Sequence, residues 1–115
     1  MNDAIRHRGP DDEGFWLSDD FTGKAYSGKD STEKIRQEFP LLRDEKSEIA
    51  VGFRRLSIVD LSEKGHQPMI SASQKIILTF NGEIYNFKTL RIELEECGHH
   101  FTGNSDTEVV LKSYE

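Results

Sequence analysis

A strand pattern and the start of a helix meet within Lys75-Ile76-Ile77-Leu78-Thr79-Phe80-Asn81-Gly82-Glu83-Ile84-Tyr85-Asn86, which makes this segment the most informative about the fold. Residues 75–80 are mostly apolar and β-branched, which predicts a strand. Asn86 is a favourable N-cap residue, and apolar side chains at helical spacing after it predict an amphipathic helix over residues 87–97, with Gly98 just beyond its end. The stretch therefore predicts a strand followed closely by a helix.

The same patterns predict further elements on either side of this stretch. Residues 15–17 and 49–58 predict strands, and residues 107–114 predict a helix that opens with a capping box formed by Ser105 and Glu108. Residues 28–47 are the most polar part of the chain, and Pro40 interrupts their loose helical pattern. We therefore interpret residues 19–47 as an enlarged surface loop that contains about two helical turns.

Length and composition fit a single soluble domain. The 115 residues carry a formal net charge of -6, 35% hydrophobic residues and a single cysteine, Cys97. The acidic balance argues against nucleic acid or an anionic membrane as a partner, and no apolar run approaches the roughly 18–20 residues that span a bilayer. One cysteine excludes an internal disulfide and fits a reducing compartment, so we expect a cytoplasmic protein.

Asn81 and Gly82 allow two interpretations. Asn-Gly is the commonest two-residue signal for a β-hairpin, and the dipeptide alone favours that turn. An Asn side-chain amide and a following Gly N–H at the end of a strand would instead supply two donors to one developing negative charge, as in an oxyanion hole. The residues by themselves leave both interpretations open.

Arg55 and Asp106 are similarly ambiguous. Arg54 and Arg55 are adjacent in a predicted strand, so their side chains point to opposite faces of the sheet. An arginine in such a strand is either a surface charge or a planar guanidinium that binds a carboxylate. Asp106 either complements the dipole of the last predicted helix or holds a ligand ammonium.

Cys97, His99 and His100 raise the question of a metal site. A structural zinc site needs further ligands, and the chain has no second cluster at ligand spacing. We therefore expect no metal in this chain, and no glycine-rich phosphate loop is present either. Cys97 falls on the apolar stripe of the predicted helix, where we expect a buried and unreactive thiol.

Seven ordered motifs carry a resemblance to a known family. They are His7-Arg8-Gly9-Pro10-Asp11-Asp12-Glu13-Gly14, Arg55-Leu56-Ser57-Ile58-Val59-Asp60, Gln67-Pro68, Phe80-Asn81-Gly82-Glu83-Ile84-Tyr85-Asn86, Leu90-Arg91, Gly98-His99-His100-Phe101 and Ser105-Asp106-Thr107-Glu108. Together they resemble the glutaminase domain at the N-terminus of asparagine synthetase, a class II glutamine amidotransferase. The motifs run from residue 7 to the end of the chain, and residues 19–47 carry none of them.

This resemblance implies an α+β fold of the N-terminal-nucleophile type, an αββα sandwich with mainly antiparallel sheets. It implies glutamine as the substrate and ammonia as the product, which a second domain using ATP and Mg would transfer to aspartate. Carried over by residue, Arg55 would bind the α-carboxylate of glutamine and Asp106 its α-ammonium. Asn81 and Gly82 would form the oxyanion hole, and Glu83 would line the pocket.

One departure from the family pattern bears on activity. The family's nucleophile is a cysteine at the mature N-terminus, whereas position 2 here is Asn2 and no opening strand is predicted. Cys97 is internal and has no free α-amine. We therefore expect residues 1–115 to be an internal part of an asparagine synthetase that lacks its first strand and its synthetase domain and is inactive alone.

The missing strand also bears on association and role. An open sheet edge favours pairing with another chain, so we expect a homodimer or aggregation through that edge. The alternative to a partial enzyme is a stand-alone module that binds glutamine, or serves assembly, without catalysis.

Overall fold

The computed structural model describes residues 2–19, 22–57 and 62–115. Within them, three strands form an antiparallel sheet in the order β2-β1-β3, where β1 spans Asp12–Asp19, β2 spans Thr22–Ser27 and β3 spans Ile49–Arg55. A 3₁₀ helix, Asn2–Arg8, precedes β1 and packs against β3. The antiparallel register brings the end of β3 next to the start of β1.

The first predicted strand is longer than expected, and the second is described only in part. Residues 15–17 lie in the middle of β1, because pairing with both neighbours extends the strand into its polar ends. The strand predicted over residues 49–58 is observed as β3 up to Arg55. Ile58 lies outside the described residues, as do Val59 and Asp60 of the resembling motif.

The described part of residues 19–47 contains a strand as well as the expected helical turns. β2 pairs with β1 over its whole length, although its Thr-Gly-Lys-Ala-Tyr-Ser sequence has no strong strand pattern. The helix α1, Glu33–Glu38, begins after Thr32, whose hydroxyl accepts the Ile35 N–H. Ile35 is only 2% exposed, so this segment contributes to the core as well as to the surface.

A short hairpin and two helices make up the C-terminal half. β4, Met69–Ile70, pairs antiparallel with β5, Ile77–Leu78, and the helices α2 and α3 span Phe87–Glu96 and Asp106–Tyr114. The two helices pack against each other, and α3 also contacts β4. No helix in the described ranges is long and apolar enough to cross a membrane.

Side-chain hydrogen bonds shorten the strand predicted over residues 75–80. Just before it, the chain turns through Gln74 at φ +58°, and within its first residues the Ile76 N–H donates to the Ser71 hydroxyl at 3.1 Å. Near its end, the Phe80 N–H donates to the Gln67 side chain at 2.7 Å instead of to a strand. The ladder is therefore limited to the pairs that Ile77 and Leu78 form with β4.

Helix α2 confirms the predicted element but not the predicted burial. It starts after Asn86, which makes no side-chain cap hydrogen bond, and Gly98 has the left-handed φ of +94° expected just beyond a helix end. No residue of α2 is fully buried. The prediction of a buried thiol is wrong, because Cys97 lies past the last helical turn as the C-cap residue and is exposed.

Buried ion pairs hold the first sheet to the loop that follows β2. The Arg54 guanidinium, with 1% of its side chain exposed, donates to Glu13 at 2.8 Å and to Asp30 at 3.0 Å. Its Nε donates to the Gly9 carbonyl at 3.0 Å, and the Asp30 N–H donates to Glu13. Arg54 therefore anchors the end of β3, and Arg55 is the last residue of that strand.

Candidate functional site

A cavity of about 500 Å³ lies where β3, the loop after β5 and the start of α3 meet. Arg55 ends β3, Asn81 and Gly82 follow β5, and Asp106 is the first residue of α3. These four residues and Glu83 all line the cavity. The tertiary structure thus brings together the five residues that the sequence singled out, from three separate parts of the chain.

Gly65 and Ser62 position the Arg55 side chain. Arg55 is 9% exposed, and its Nη1 donates to the Ser62 carbonyl at 2.7 Å. A methyl group on Gly65 would lie 2.2 Å from Nη2, so the guanidinium needs a glycine to lie this close to the backbone. Arg55 is therefore a buried and well-anchored cation on the cavity wall.

The Asn81-Gly82 pair is not the turn of a β-hairpin. β5 ends at Leu78, and the chain continues through Asn81, Gly82 and Glu83 into the turn before α2, with no strand in between. These three residues are exposed at the cavity. The loop therefore places an amide side chain, a glycine backbone and a carboxylate side chain along one opening.

Asp106 both lines the cavity and holds the loop opposite. It is 7% exposed, and its Oδ2 accepts the Ile84 N–H at 3.1 Å. It is the first residue of α3, in the turn that the Ser105 cap opens. Asp106 thereby ties α3 to the loop that contains Glu83.

The start of α3 forms half of the predicted capping box. The Ser105 hydroxyl accepts the Glu108 N–H at 3.2 Å, as the box requires. The Glu108 carboxylate, however, accepts the backbone N–H groups of Thr102 at 2.7 Å and Gly103 at 2.8 Å. Glu108 therefore braces the turn before α3, and with it the position of Asp106.

A second cavity of about 300 Å³ shares Arg55 with the first. Asp12 and Glu63 also line it, and the Asp12 carboxylate lies 2.6 Å from Nδ1 of His66. The Glu63 carboxylate accepts hydrogen bonds from the backbone N–H of Glu63 and from the Lys34 ammonium, 3.1 Å away. These hydrogen bonds hold the pKa of Glu63 below its ordinary value. On this side, Arg55 therefore faces acidic surroundings.

Comparison with known proteins identifies the family. Residues 41–115, nearly two thirds of the chain, match the family described as glutamine amidotransferase domain. The chain belongs to this glutamine amidotransferase family.

Relatives of this amidotransferase domain include much longer proteins. The chain is 39% identical over 114 residues to the glutamine-hydrolysing asparagine synthetase 1 of Bacillus subtilis, covering 99% of this chain and 13% of that protein. It is 35% identical over 115 residues to asparagine synthetase 2 of the same organism, covering 100% and 11%. Identity to the amidase chry2 of Gibberella zeae is 32% over 112 residues, covering 97% and 13%. The chain therefore spans little more than a tenth of the length of these relatives.

Two residues lining the cavity of the amidotransferase domain were not predicted from the sequence. Gln67 and Thr107 are both 5% exposed and form a hydrogen bond to each other. Gln67-Pro68 was part of the resembling pattern but had no role assigned to it. The Gln67-Pro68 motif alone could not reveal a role for Gln67, because the residues that its side chain contacts lie 13 and 40 positions away in the sequence.

The described part of the amidotransferase domain contains no group of three or more His, Cys, Asp or Glu side chains that could hold a metal ion. Cys97 and His99, which raised the question of zinc, are not among the described residues that line the large cavity.

Proposed function

We propose that this domain binds glutamine in the cavity of about 500 Å³ as part of a glutaminase site. The observation that carries the proposal is that Arg55 and Asp106, two buried and opposite charges, line this cavity together with Asn81 and Gly82. A free amino acid has one anionic and one cationic end, and charge-assisted hydrogen bonds to both ends would set its orientation. Membership of the glutamine amidotransferase family supports glutamine as that amino acid.

Each of the five residues has a role in the proposed complex. Arg55 binds the α-carboxylate of glutamine, and Asp106 binds its α-ammonium. The side chain of Asn81 and the N–H of Gly82 donate to the oxyanion that forms when the amide is attacked. Such a donor contributes about 3–4 kcal/mol to acyl transfer. Glu83 lines the pocket around the substrate amide.

The described residues supply binding groups and oxyanion donors but no cysteine thiol at the cavity. Cys97 is the single cysteine, is exposed at the end of α2 and is not among the described residues that line the cavity. An internal cysteine also lacks the α-amine that acts as the base in N-terminal-nucleophile enzymes. We therefore propose that these 115 residues alone release no ammonia from glutamine.

The relatives extend the proposal to a longer protein. Two of those named above are asparagine synthetases, and the chain covers no more than 13% of either. We propose that a synthetase domain of the same protein uses the ammonia for ATP-dependent amidation of aspartate in the cytoplasm. ATP and Mg would bind outside these 115 residues, and the two sheets described here would belong to the αββα sandwich of an N-terminal-nucleophile domain.

Calorimetry with glutamine tests the proposed binding site. Asp106→Asn keeps an oxygen for the Ile84 N–H but removes the charge. We expect glutamine to bind at least about tenfold more weakly, because losing one partner of a buried charge pair costs about 2–5 kcal/mol. Asp44→Asn, at an exposed position, is the matched control and should bind like the unaltered chain. Equal affinities of Asp106→Asn and the unaltered chain would remove Asp106 from the site.

Ammonia release from glutamine tests the proposed lack of activity. We expect none from the unaltered chain and none from Cys97→Ser. Activity in the unaltered chain that disappears in Cys97→Ser would make Cys97 the nucleophile and would overturn this part of the proposal.

A further inference from the structure

Gln67 connects two walls of the cavity that are far apart in the sequence. Its side-chain carbonyl accepts the Phe80 N–H at 2.7 Å, and its side-chain NH₂ donates to the Phe80 carbonyl at 3.4 Å. The same NH₂ donates to the Thr107 hydroxyl at 3.3 Å. Because Phe80 directly precedes Asn81 and Thr107 directly follows Asp106, one amide joins the loop after β5 to the start of α3.

The side-chain amide of Gln67 takes the place of a neighbouring strand beside Phe80. Both backbone groups of Phe80 bond to this one amide, much as a residue of a sheet bonds to the strand next to it. Gln67 is 5% exposed, and β1 packs so closely that a methyl group on Gly14 would lie 2.1 Å from the backbone carbonyl oxygen of Gln67. The residue that holds Phe80 is thus itself held by β1.

We infer that Gln67 is a positioning residue of the glutaminase site, an inference that rests on the proposed function. It sets the distance between the oxyanion donors, Asn81 and Gly82, and the carboxylate of Asp106. Glutamine has to span this distance, because its side-chain amide and its α-amine lie at opposite ends of the molecule. A change at Gln67 therefore weakens glutamine binding although no charged contact is lost.

Amide hydrogen exchange measures the coupling between the two walls. In Gln67→Leu the Phe80 N–H loses its acceptor, and we expect its exchange to rise at least about tenfold, while that of Gly103, which Glu108 holds, stays unchanged. Thr107→Val removes the hydroxyl that accepts from Gln67 and should raise the exchange rate of the Phe80 N–H about threefold. Thr107→Ser keeps this hydroxyl, so its Phe80 N–H should exchange as slowly as in the unaltered chain. Thr107→Val added to Gln67→Leu should cause no further rise, because the connection is already broken.

Glutamine affinity in the same variants separates positioning from a merely structural role. Calorimetry should show about tenfold weaker binding for Gln67→Leu, about threefold for Thr107→Val, and full affinity for Thr107→Ser. Gln37→Leu, on the exposed face of α1, is the matched control and should bind normally. If Gln67→Leu does not fold, Thr107→Val and Thr107→Ser still allow both the hydrogen-exchange and the calorimetric comparison.

The possible outcomes are distinct. An unchanged exchange rate of the Phe80 N–H in Thr107→Val would overturn the connection of the two walls through Gln67. Unchanged glutamine affinity in Gln67→Leu would overturn the positioning role. Absence of glutamine binding by the unaltered chain contradicts the proposed function, and the positioning role with it. In that case the response of Phe80 exchange to Thr107→Val still decides whether Gln67 joins the two walls.

Discussion

At Gly65, the absence of a single methyl group leaves room for the charge on the cavity wall. A Cβ at this position would lie 2.2 Å from Nη2 of Arg55 and 2.7 Å from its Cζ. The clash is with the end of a long side chain, which can move aside without displacing the backbone. Gly65 therefore matters more for the position of the guanidinium than for the stability of the domain.

We expect Gly65→Ala to weaken glutamine binding about tenfold and to change the free energy of unfolding by less than about 1 kcal/mol. Gly98→Ala is the opposite case, because nothing lies within 4 Å of its Cβ but its φ of +94° strains any other residue. That variant should lose about 1 kcal/mol of stability and keep its glutamine affinity. Calorimetry and urea unfolding measure the two properties, and a large loss of stability in Gly65→Ala would contradict this view of Arg55.

Glu63 provides a pH-dependent contact between α1 and the turn beside Arg55. Its pKa is lowered by hydrogen bonds from its own backbone N–H and from Lys34. A carboxyl whose pKa is lowered on folding adds stability above its unfolded-state pKa, and that stability is lost as the pH falls through the folded-state pKa.

We expect Lys34→Met to move the pKa of Glu63 back toward its ordinary value, because the ammonium 3.1 Å from the carboxylate is removed. A carbon-13 NMR titration of the Glu63 carboxyl measures the shift. Lys46→Met, at an exposed position in the loop before β3, is the control and should leave the titration unchanged. The same titration curve in Lys34→Met and in the unaltered chain would show that this ion pair does not form in solution.

Among the elements, β3 depends on buried charge for its attachment to β1 and to the loop after β2. Arg54 reaches Glu13 of β1 and Asp30 of the loop with 1% of its side chain exposed. Arg6 of the 3₁₀ helix also pairs with Asp30, at 2.8 Å, but 61% of its side chain is exposed. The two arginines share one carboxylate and differ in burial, so they allow a direct comparison.

We expect Arg54→Met to lower the free energy of unfolding by about 3–5 kcal/mol, because it leaves the Glu13 carboxylate buried without its partner cation. Arg6→Met should cost less than about 1 kcal/mol, because water and salt screen an exposed pair. Urea unfolding of both variants gives the comparison. Similar small losses in both would mean that the buried pair does not hold the sheet.

Over the whole molecule, polar side chains occupy much of the interior. Among the described residues, thirteen buried residues are polar or charged, whereas four buried aliphatic residues form the core, namely Leu17, Ile35, Val109 and Leu111. Each fully buried side-chain nitrogen or oxygen in this part of the chain has a hydrogen-bond partner. Large apolar side chains remain outside, including Ile49 at 57% and Ile92 at 58% exposed. Exposed apolar side chains are ordinary when they stand singly, and they become an association surface where they form a contiguous patch.

The 3₁₀ helix packs against β3 near Gly52 and Phe53, so we expect the chain to form dimers through the part of the β3 edge near Ile49, because an unpaired strand edge pairs readily with a second strand. Within the described residues, β3 lies at one side of its sheet, and Ile49 begins it. Ile49→Lys should shift sedimentation equilibrium toward the monomer, whereas Ile92→Lys, at equal exposure on α2, should not. A stable monomer over a wide concentration range would contradict the dimer, and an equal effect of Ile92→Lys would place the contact on α2.

Local pattern alone was sufficient for the two long helices, the start of α3 and the end of α2. Three signals are local in sequence, namely the helical spacing of apolar residues, the Ser105 cap and the left-handed Gly98. They can therefore be recognised without knowing the tertiary contacts. The motifs that include Arg55 and Asp106 were also enough to predict which charged and polar groups the candidate site contains.

How the predicted elements and residues meet became clear from the three-dimensional structure and not from the sequence. β2 forms because β1 pairs with it, and the strand before Asn81 ends early because the Gln67 side chain bonds to the backbone of Phe80. The cavity itself joins the ends of β3 and β5 to the start of α3. These features depend on contacts between residues that are distant in sequence, and local periodicity carries no information about such contacts.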